Sequence, residues 1–259
     1  MKKTTWLVII SLVIALVLFI SGVVLGGVDE LVGVYHQGEL NISLPFIKTR
    51  DIEKEFVNIE ELDIKASAGD FEISEYNGDK IKVVAKNVSR KTELYQDNNT
   101  LIFKENFKID FFSINNNTKV QIYIPKNYQF GEVKIDIDAA SFKVPNLLVD
   151  ELEVDVDAGS FKADKIIADK TFIDVDAGNA KIGLLDSKIS EFDADVGDIK
   201  VTMAGSESDY SYEADCDLGD IEIGSYHGDG ISNEYQYHGG NRSIKADCNV
   251  GSIIIKMEV

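Results

Sequence analysis

The chain has 259 residues, 44% of them hydrophobic and 27% charged, enough for one sizeable core and outside the composition of a disordered chain. Acidic residues outnumber basic ones 45 to 26, and a net charge of −19 argues against nucleic acid, whose phosphates need clustered Lys and Arg. With 3 Pro and 2 Cys, a collagen-like chain, a disulfide-dense miniprotein and a cysteine-rich zinc module are excluded.

Residues 1–5 are read as a short cytoplasmic segment carrying Lys2 and Lys3. From Trp6 to Val28 there are 23 positions without a charge, mostly Val, Ile and Leu. As a helix this run reaches about 35 Å, enough to cross a hydrocarbon core. Asp29 and Glu30 follow it, so the positive-inside rule predicts a single-pass anchor at the cell membrane with everything beyond Val28 exported. A cleaved signal peptide is the rival reading, set against a run longer than the usual h-region. Residues 29–50 read as a juxtamembrane linker, and 51–259 as an extracytoplasmic repeat domain.

Strand-like runs at Lys80–Lys86, Thr100–Lys104 and Lys119–Pro125 open that domain irregularly. Regularity begins at Ile135. Four gapless segments start at Ile135, Val154, Ile173 and Phe192, 19 residues apart, the second reading Val-Asp-Val-Asp-Ala-Gly-Ser-Phe-Lys-Ala. Copies at Ala214 and Ala246 follow at wider spacing, and one at Ile64 stands apart. In each, apolar residues at the first, third and fifth places alternate with polar ones, then resume at the eighth and tenth. The phase therefore slips by one residue across the Gly at the sixth place. A uniform strand would turn its core face outward there, so the slip marks a corner at Gly69, Gly159, Gly178, Gly197, Gly219 or Gly251. Two short strands and two turns fill each 19-residue unit.

One such unit cannot bury its inner face alone, which predicts stacking into an all-β, parallel β-solenoid behind the N-terminal helix. Its core columns are Ile135, Val154, Ile173 and Phe192; Ile137, Val156, Val175 and Ala194; and Phe142, Phe161, Ala180 and Ile199. An antiparallel sandwich is the alternative, but it gives no reason to repeat one motif at equal spacing.

A span, irregular strands, the run Val120-Gln121-Ile122-Tyr123-Ile124-Pro125 and serial Asp-x-Asp-x-Gly-x-x-Lys coils together resemble the bacterial putative-adhesin family of β-strand-repeat proteins, a domain of unknown function. The resemblance runs from Ile52 to the C-terminus and implies surface attachment without catalytic residues. Ala140 in place of a corner Gly and the stretched coils after Val201 depart from the pattern.

Stacking puts Asp136, Asp155, Asp174, Asp193, Asp215 and Asp247 in one outer column, and Asp138, Asp157, Asp176, Asp195 and Asp217 in a second that ends at Asn249. Like charges about 4.8 Å apart repel by about 1 kcal/mol in water and several times that near a protein surface. Lys143, Lys162, Lys181 and Lys200, at the ninth place, are read as the compensation, in preference to Ca²⁺ in the columns, and no metal or cofactor is expected. A carboxylate pair recurring on nearly every coil reads as scaffold rather than as an active site. His36, His227 and His238 lie in no catalytic or metal-binding motif, so no enzyme activity is expected.

Cys216 and Cys248 share the third place, and two readings stand: a disulfide across neighbouring rungs, or two reduced core thiols. Between the last two copies, 32 residues apart, Tyr226, Tyr235, Tyr237 and Arg242 read as an interaction loop for protein or glycan, against a solvated hairpin. The last strand, Ser252–Val259, carries Ile254 where most coils have Lys or Glu, and as an end rung it invites self-association or a covering partner. The function expected is a non-catalytic adhesin-like or structural surface with an unidentified cell-envelope partner. An accessory in envelope-stress sensing through a membrane partner is the alternative, and a carbohydrate-active enzyme the third reading.

Overall fold

Rungs that repeat every 19 residues bury their inner faces by lying over one another, and the computed structural model shows that arrangement across residues 49–105 and 118–258, the portion it describes. The run Trp6–Val28, with His36 and most of the linker, lies outside the described residues. Among those described, no helix is long and apolar enough to cross a membrane.

In chain order the strands are β1 (Thr49–Phe56), β2 (Glu61–Tyr76), β3 (Ile81–Ser89), β4 (Glu93–Asp97), β5 (Thr100–Lys104), β6 (Lys119–Pro125) and β7 (Gln129–Val156). Then come β8 (Ser160–Val175), β9 (Asn179–Ala194), β10 (Asp198–Ala204), β11 (Tyr210–Ile223), β12 (Tyr226–Tyr237), β13 (Arg242–Cys248) and β14 (Ser252–Glu258). The three irregular runs foreseen near the N-terminus are β3, β5 and β6, and β1 begins two residues inside the expected linker.

The solenoid is parallel where the motif repeats. β2 pairs with β7, β7 with β8, β8 with β9 and β9 with β10, all parallel and in motif register. Ile64 thus lies beside Ile135, and Phe71, Phe142, Phe161, Ala180 and Ile199 form one continuous row. The detached copy at Ile64 is therefore the first rung. Every member of the three predicted core columns is at most 2% exposed. Phe71 and Phe142 stack with centroids 5.8 Å apart, and Phe103 closes the row edge-on at 5.6 Å from Phe71.

Within a coil, two features differ from the sequence reading. Each coil has three inward-facing groups, not two: on β8 they are Phe161 and Ala163, then Ile166 and Ala168, then Thr171, Ile173 and Val175. Two exposed Asp-Lys pairs, Asp164-Lys165 and Asp169-Lys170, absorb the extra phase slips. The fifth place points outward, because the corner begins there: Val196 is 64%, Leu218 51% and Val250 48% exposed.

The corner glycines are needed mainly for close approach. Gly69 has a left-handed φ of +103°, but Gly159, Gly178, Gly197, Gly219 and Gly251 do not share it. A Cβ at Gly178 would stand 2.4 Å from the carbonyl oxygen of Gly159, and one at Gly159 2.3 Å from that of Ala140. Successive corners touch backbone to backbone, which leaves no volume for a side chain. Ala140 stands in register with Gly69, the one corner glycine with a left-handed φ.

The ends are antiparallel. β5 and β6 lie as a split rung against the two halves of β2, and β3, β1 and β4 cover it with antiparallel pairs. At the other end the rungs do not follow chain order. β11 skips one position, β12 folds back antiparallel along it, and β13 and β14 then fill the gap, pairing with β9 and β10 on one side and β11 on the other. The last strand is thus internal, with Ile254 between Lys200 and Glu222, and the expectation of an open end rung there is corrected. The edge it would have exposed is occupied by β12.

Candidate interaction surface

The outer faces of the rungs carry the charge. Asp155, Asp174, Asp193, Asp247 and Asp215 are register partners on successive rungs, so the predicted column forms, although its last two members are in inverted chain order. Corner amides keep the rungs bonded where the strands break: Asp176 N–H donates to the Val156 carbonyl at 3.0 Å and Asp195 N–H to that of Val175 at 3.0 Å.

Carboxylates held one strand apart raise one another's proton affinity. Partial desolvation by the surrounding rungs, then the charges of Asp193, Asp155 and Asp176, lifts Asp174 to about 6. Desolvation and neighbouring aspartates push Asp155, Asp157 and Asp193 up as well.

The compensation is not the one expected. Lys65, at the second place of the first rung, donates to Asp136 at 2.8 Å and Asp138 at 3.0 Å, capping both columns at their N-terminal end. On the inserted rung, one short of the far end, Lys245 contacts Asp247, and Asn249 donates to Asp195. Lys143, Lys162, Lys181 and Lys200 form no described ion pair with either column, because they lie beyond the corner on the next face. They are register partners of one another. Sequence reasoning found these lysines by their spacing and expected them to pair with the columns across the corner, a pairing that depends on the corner angle, which a phase slip does not report. Among the described residues no three His, Cys, Asp or Glu side chains converge into a metal-holding group.

The predicted interaction loop is not a loop. Tyr226, Tyr235 and Tyr237 belong to β12, which lies along β11. Tyr226 stacks on Tyr235 at 4.1 Å, and Tyr237 on Tyr212 at 4.9 Å. Tyr226 and Tyr237 pack on the core, so these rings roof the last rung. Tyr212, which the sequence reading passed over, is the buried anchor of this group, and its hydroxyl donates to Glu207 at 2.8 Å.

Arg242 is likewise structural. Its Nε donates to the Ser187 carbonyl at 3.0 Å, its Nη1 to the Ala204 carbonyl at 3.0 Å, and its Nη2 meets Asp186. The guanidinium lies 4.8 Å from the centre of the Tyr210 ring, tying the out-of-order rung to β9, β10 and β11. The second and third His, His227 and His238, lie on β12 and just after it, with no metal-holding group around them.

Cys216 and Cys248 are direct register partners, both buried and reduced. Burial, and after it the facing thiol of Cys248, pushes Cys216 up to about 12, so Cys216 acts as a packing group rather than a nucleophile at neutral pH.

No curated protein matches this chain. Solved structures do. A putative cell adhesion protein from Clostridium sporogenes is 18% identical, with a TM-score of 0.48 over 82% of this chain and 100% of that one. A putative adhesin from Parabacteroides distasonis is 15% identical, with a TM-score of 0.38 over 82% and 98%. A putative lipid binding protein from the same species is 16% identical, with a TM-score of 0.33 over 79% and 96%. The Toastrack DUF4097 family model matches residues 59–228, from just before β2 into β12, and the chain belongs to that family.

Proposed function

We propose that this chain is a membrane-anchored, outward-facing β-solenoid that serves as a non-catalytic interaction surface of the cell envelope. Repetition is the observation that carries the reading. The Asp pairs recur in register from rung to rung, whereas a catalytic site is a singular constellation. A surface built this way binds by summing weak, equivalent contacts, each exposed pair contributing about 0.2–1 kcal/mol. The apolar run Trp6–Val28, with Lys2 and Lys3 before it and Asp29 and Glu30 after it, supports the anchor and its orientation.

The test uses the full-length chain and isolated cell-envelope fragments. Neutralising one rung (Asp174→Asn with Asp176→Asn), then two, then three should lower retention in graded steps of about 1.5- to 5-fold per pair lost. Abolition by one rung alone, with the others inert, would mark a singular site and defeat the reading. Protease added to intact cells should digest the strand domain, and protection there would refute the outward orientation.

A further inference from the structure

Lys143, Lys162, Lys181 and Lys200 stand on β7, β8, β9 and β10 as consecutive register partners, all exposed. With strands about 4.8 Å apart, the row spans about 14 Å. Glu72 on β2 bounds it at one end and Ile254 on β14 at the other. Nine other described cations, Lys65, Lys80, Lys82, Lys104, Lys134, Lys170, Lys188, Lys245 and Arg242, each meet a carboxylate within the chain. The four in this row do not. Neighbouring ammoniums repel by about 1 kcal/mol even in water, and the carboxylate that borders the row in register, Glu72, stands beside Lys143 alone.

The aspartate columns are the complementary case. Asp155, Asp174 and Asp193, with Asp157, Asp176 and Asp195 beside them, lie on the preceding face of the same coils, and the middle of that ladder has no lysine against it. The glycine corner separates the two faces within one copy. Both rows inherit their spacing from one set of rungs, so the lysines of one copy and the aspartates of another match rung for rung.

We propose that the lysine row of one copy docks against the aspartate columns of a second copy, giving side-by-side association through unlike faces. Because each copy keeps one unused face, the contact extends into an array and does not close as a pair. A few exposed ion pairs make a weak contact, and confinement to one membrane raises the effective concentration enough to populate it. The net charge of −19 opposes approach, but at physiological salt that repulsion is screened beyond about 8 Å while pairs in contact lie inside that distance. The inference takes its membrane setting from the proposed function; envelope-fragment binding by a chain that fails to associate would refute this inference alone.

The test reconstitutes the full-length chain densely in neutral phosphatidylcholine vesicles. One population carries Lys162→Cys and another Asp174→Cys, both exposed, while native Cys216 and Cys248 are buried. A short bifunctional thiol reagent should crosslink the mixed population at least threefold more than either alone. The excess should vanish at 1 M salt, and also when the Lys162→Cys copy further carries Lys143→Glu, Lys181→Glu and Lys200→Glu. Equal yields in the mixed and single populations, or an excess indifferent to salt and to charge reversal, would overturn the proposal. Unchanged Tm values for the variants would show that the result does not come from misfolding.

Discussion

The coils from β7 to β10 and the rungs from β11 to β14 use the same motif to different effect. In the first region chain order and spatial order agree, and the rungs succeed one another every 19 residues. In the second the chain leaves a rung-sized gap, turns back along β12 and fills the gap last. Yet the local construction is the same: Gly251 would put a Cβ 2.1 Å from the Gly197 carbonyl oxygen, as Gly178 would put one 2.4 Å from that of Gly159. Rung fit, meaning parallel register, matched apolar columns and a side-chain-free corner, therefore specifies neighbours without any need for sequence continuity. Where continuity is broken, a dedicated fastener appears, and Arg242 supplies it through two backbone carbonyls and a carboxylate.

The equivalence can be broken most forcefully at the corners. Gly178→Ala and Gly251→Ala should each cost about 2–3 kcal/mol, because the obstructing atom is backbone and cannot rotate away. That is a fall in Tm of about 4–12 °C. Gly131→Ala, whose Cβ would meet nothing nearer than the Glu60 carbonyl oxygen at 3.7 Å, should stay within about 0.5 kcal/mol. Tolerance of Gly251→Ala beside a damaging Gly178→Ala would show that the two regions are not built alike.

Arg242→Ala should cost about 1–3 kcal/mol by removing the donors to the Ser187 and Ala204 carbonyls and the partner of Asp186, although the Ala204 carbonyl keeps the Tyr210 hydroxyl. Hydrogen exchange should then locate the damage in β13 and β14 while β8 keeps its protection. Uniform loss across the solenoid would mean that the late rungs are no more separable than the early ones.

The smallest effect concerns charge. Asp174, near 6, lies above the ordinary carboxylate value, so the native state holds a proton more tightly than the unfolded chain. Its contribution is thus a destabilisation, fully present above about pH 6 and removed as the pH falls below about 4. Asp174→Asn should raise Tm slightly at pH 7, with the gain disappearing at pH 4. Asp247→Asn in the late region should bring no such gain, because it also removes the partner of Lys245. Thermal melts at the two pH values measure both.

Much of the rung was legible. The core columns at Ile135, Ile137 and Phe142, with their counterparts on the next three coils, are buried as the alternation required, because apolar side chains at a strand period have one interior to enter. The candidate surface was legible only in part. The aspartate columns follow from register alone, but the pairing of the lysines depends on the angle of the corner, and a phase slip carries no angle. Tyr226, Tyr235 and Tyr237 look like contact residues in a Gly-rich stretch, but the turn at Gly224, with φ +56°, brings Tyr226 and Tyr237 onto the open end of the core and leaves Tyr235 exposed, stacked on Tyr226. Arg242 has the composition of a contact residue too, and its role depends on carbonyls of β9 and β10 that are remote in sequence.

From the amino-acid sequence alone follow the length of the repeating unit, three of its inward-facing columns, the corner at its glycine and the parallel register of the copies, but not its third inward-facing group or the outward fifth place. Tertiary structure decided the order of the last rungs, the strands that close each end and which cations meet which carboxylates. The physical reason is that every rung presents nearly the same hydrogen-bonding edge and apolar face. Any copy can therefore neighbour any other, and only the finished stack selects among them.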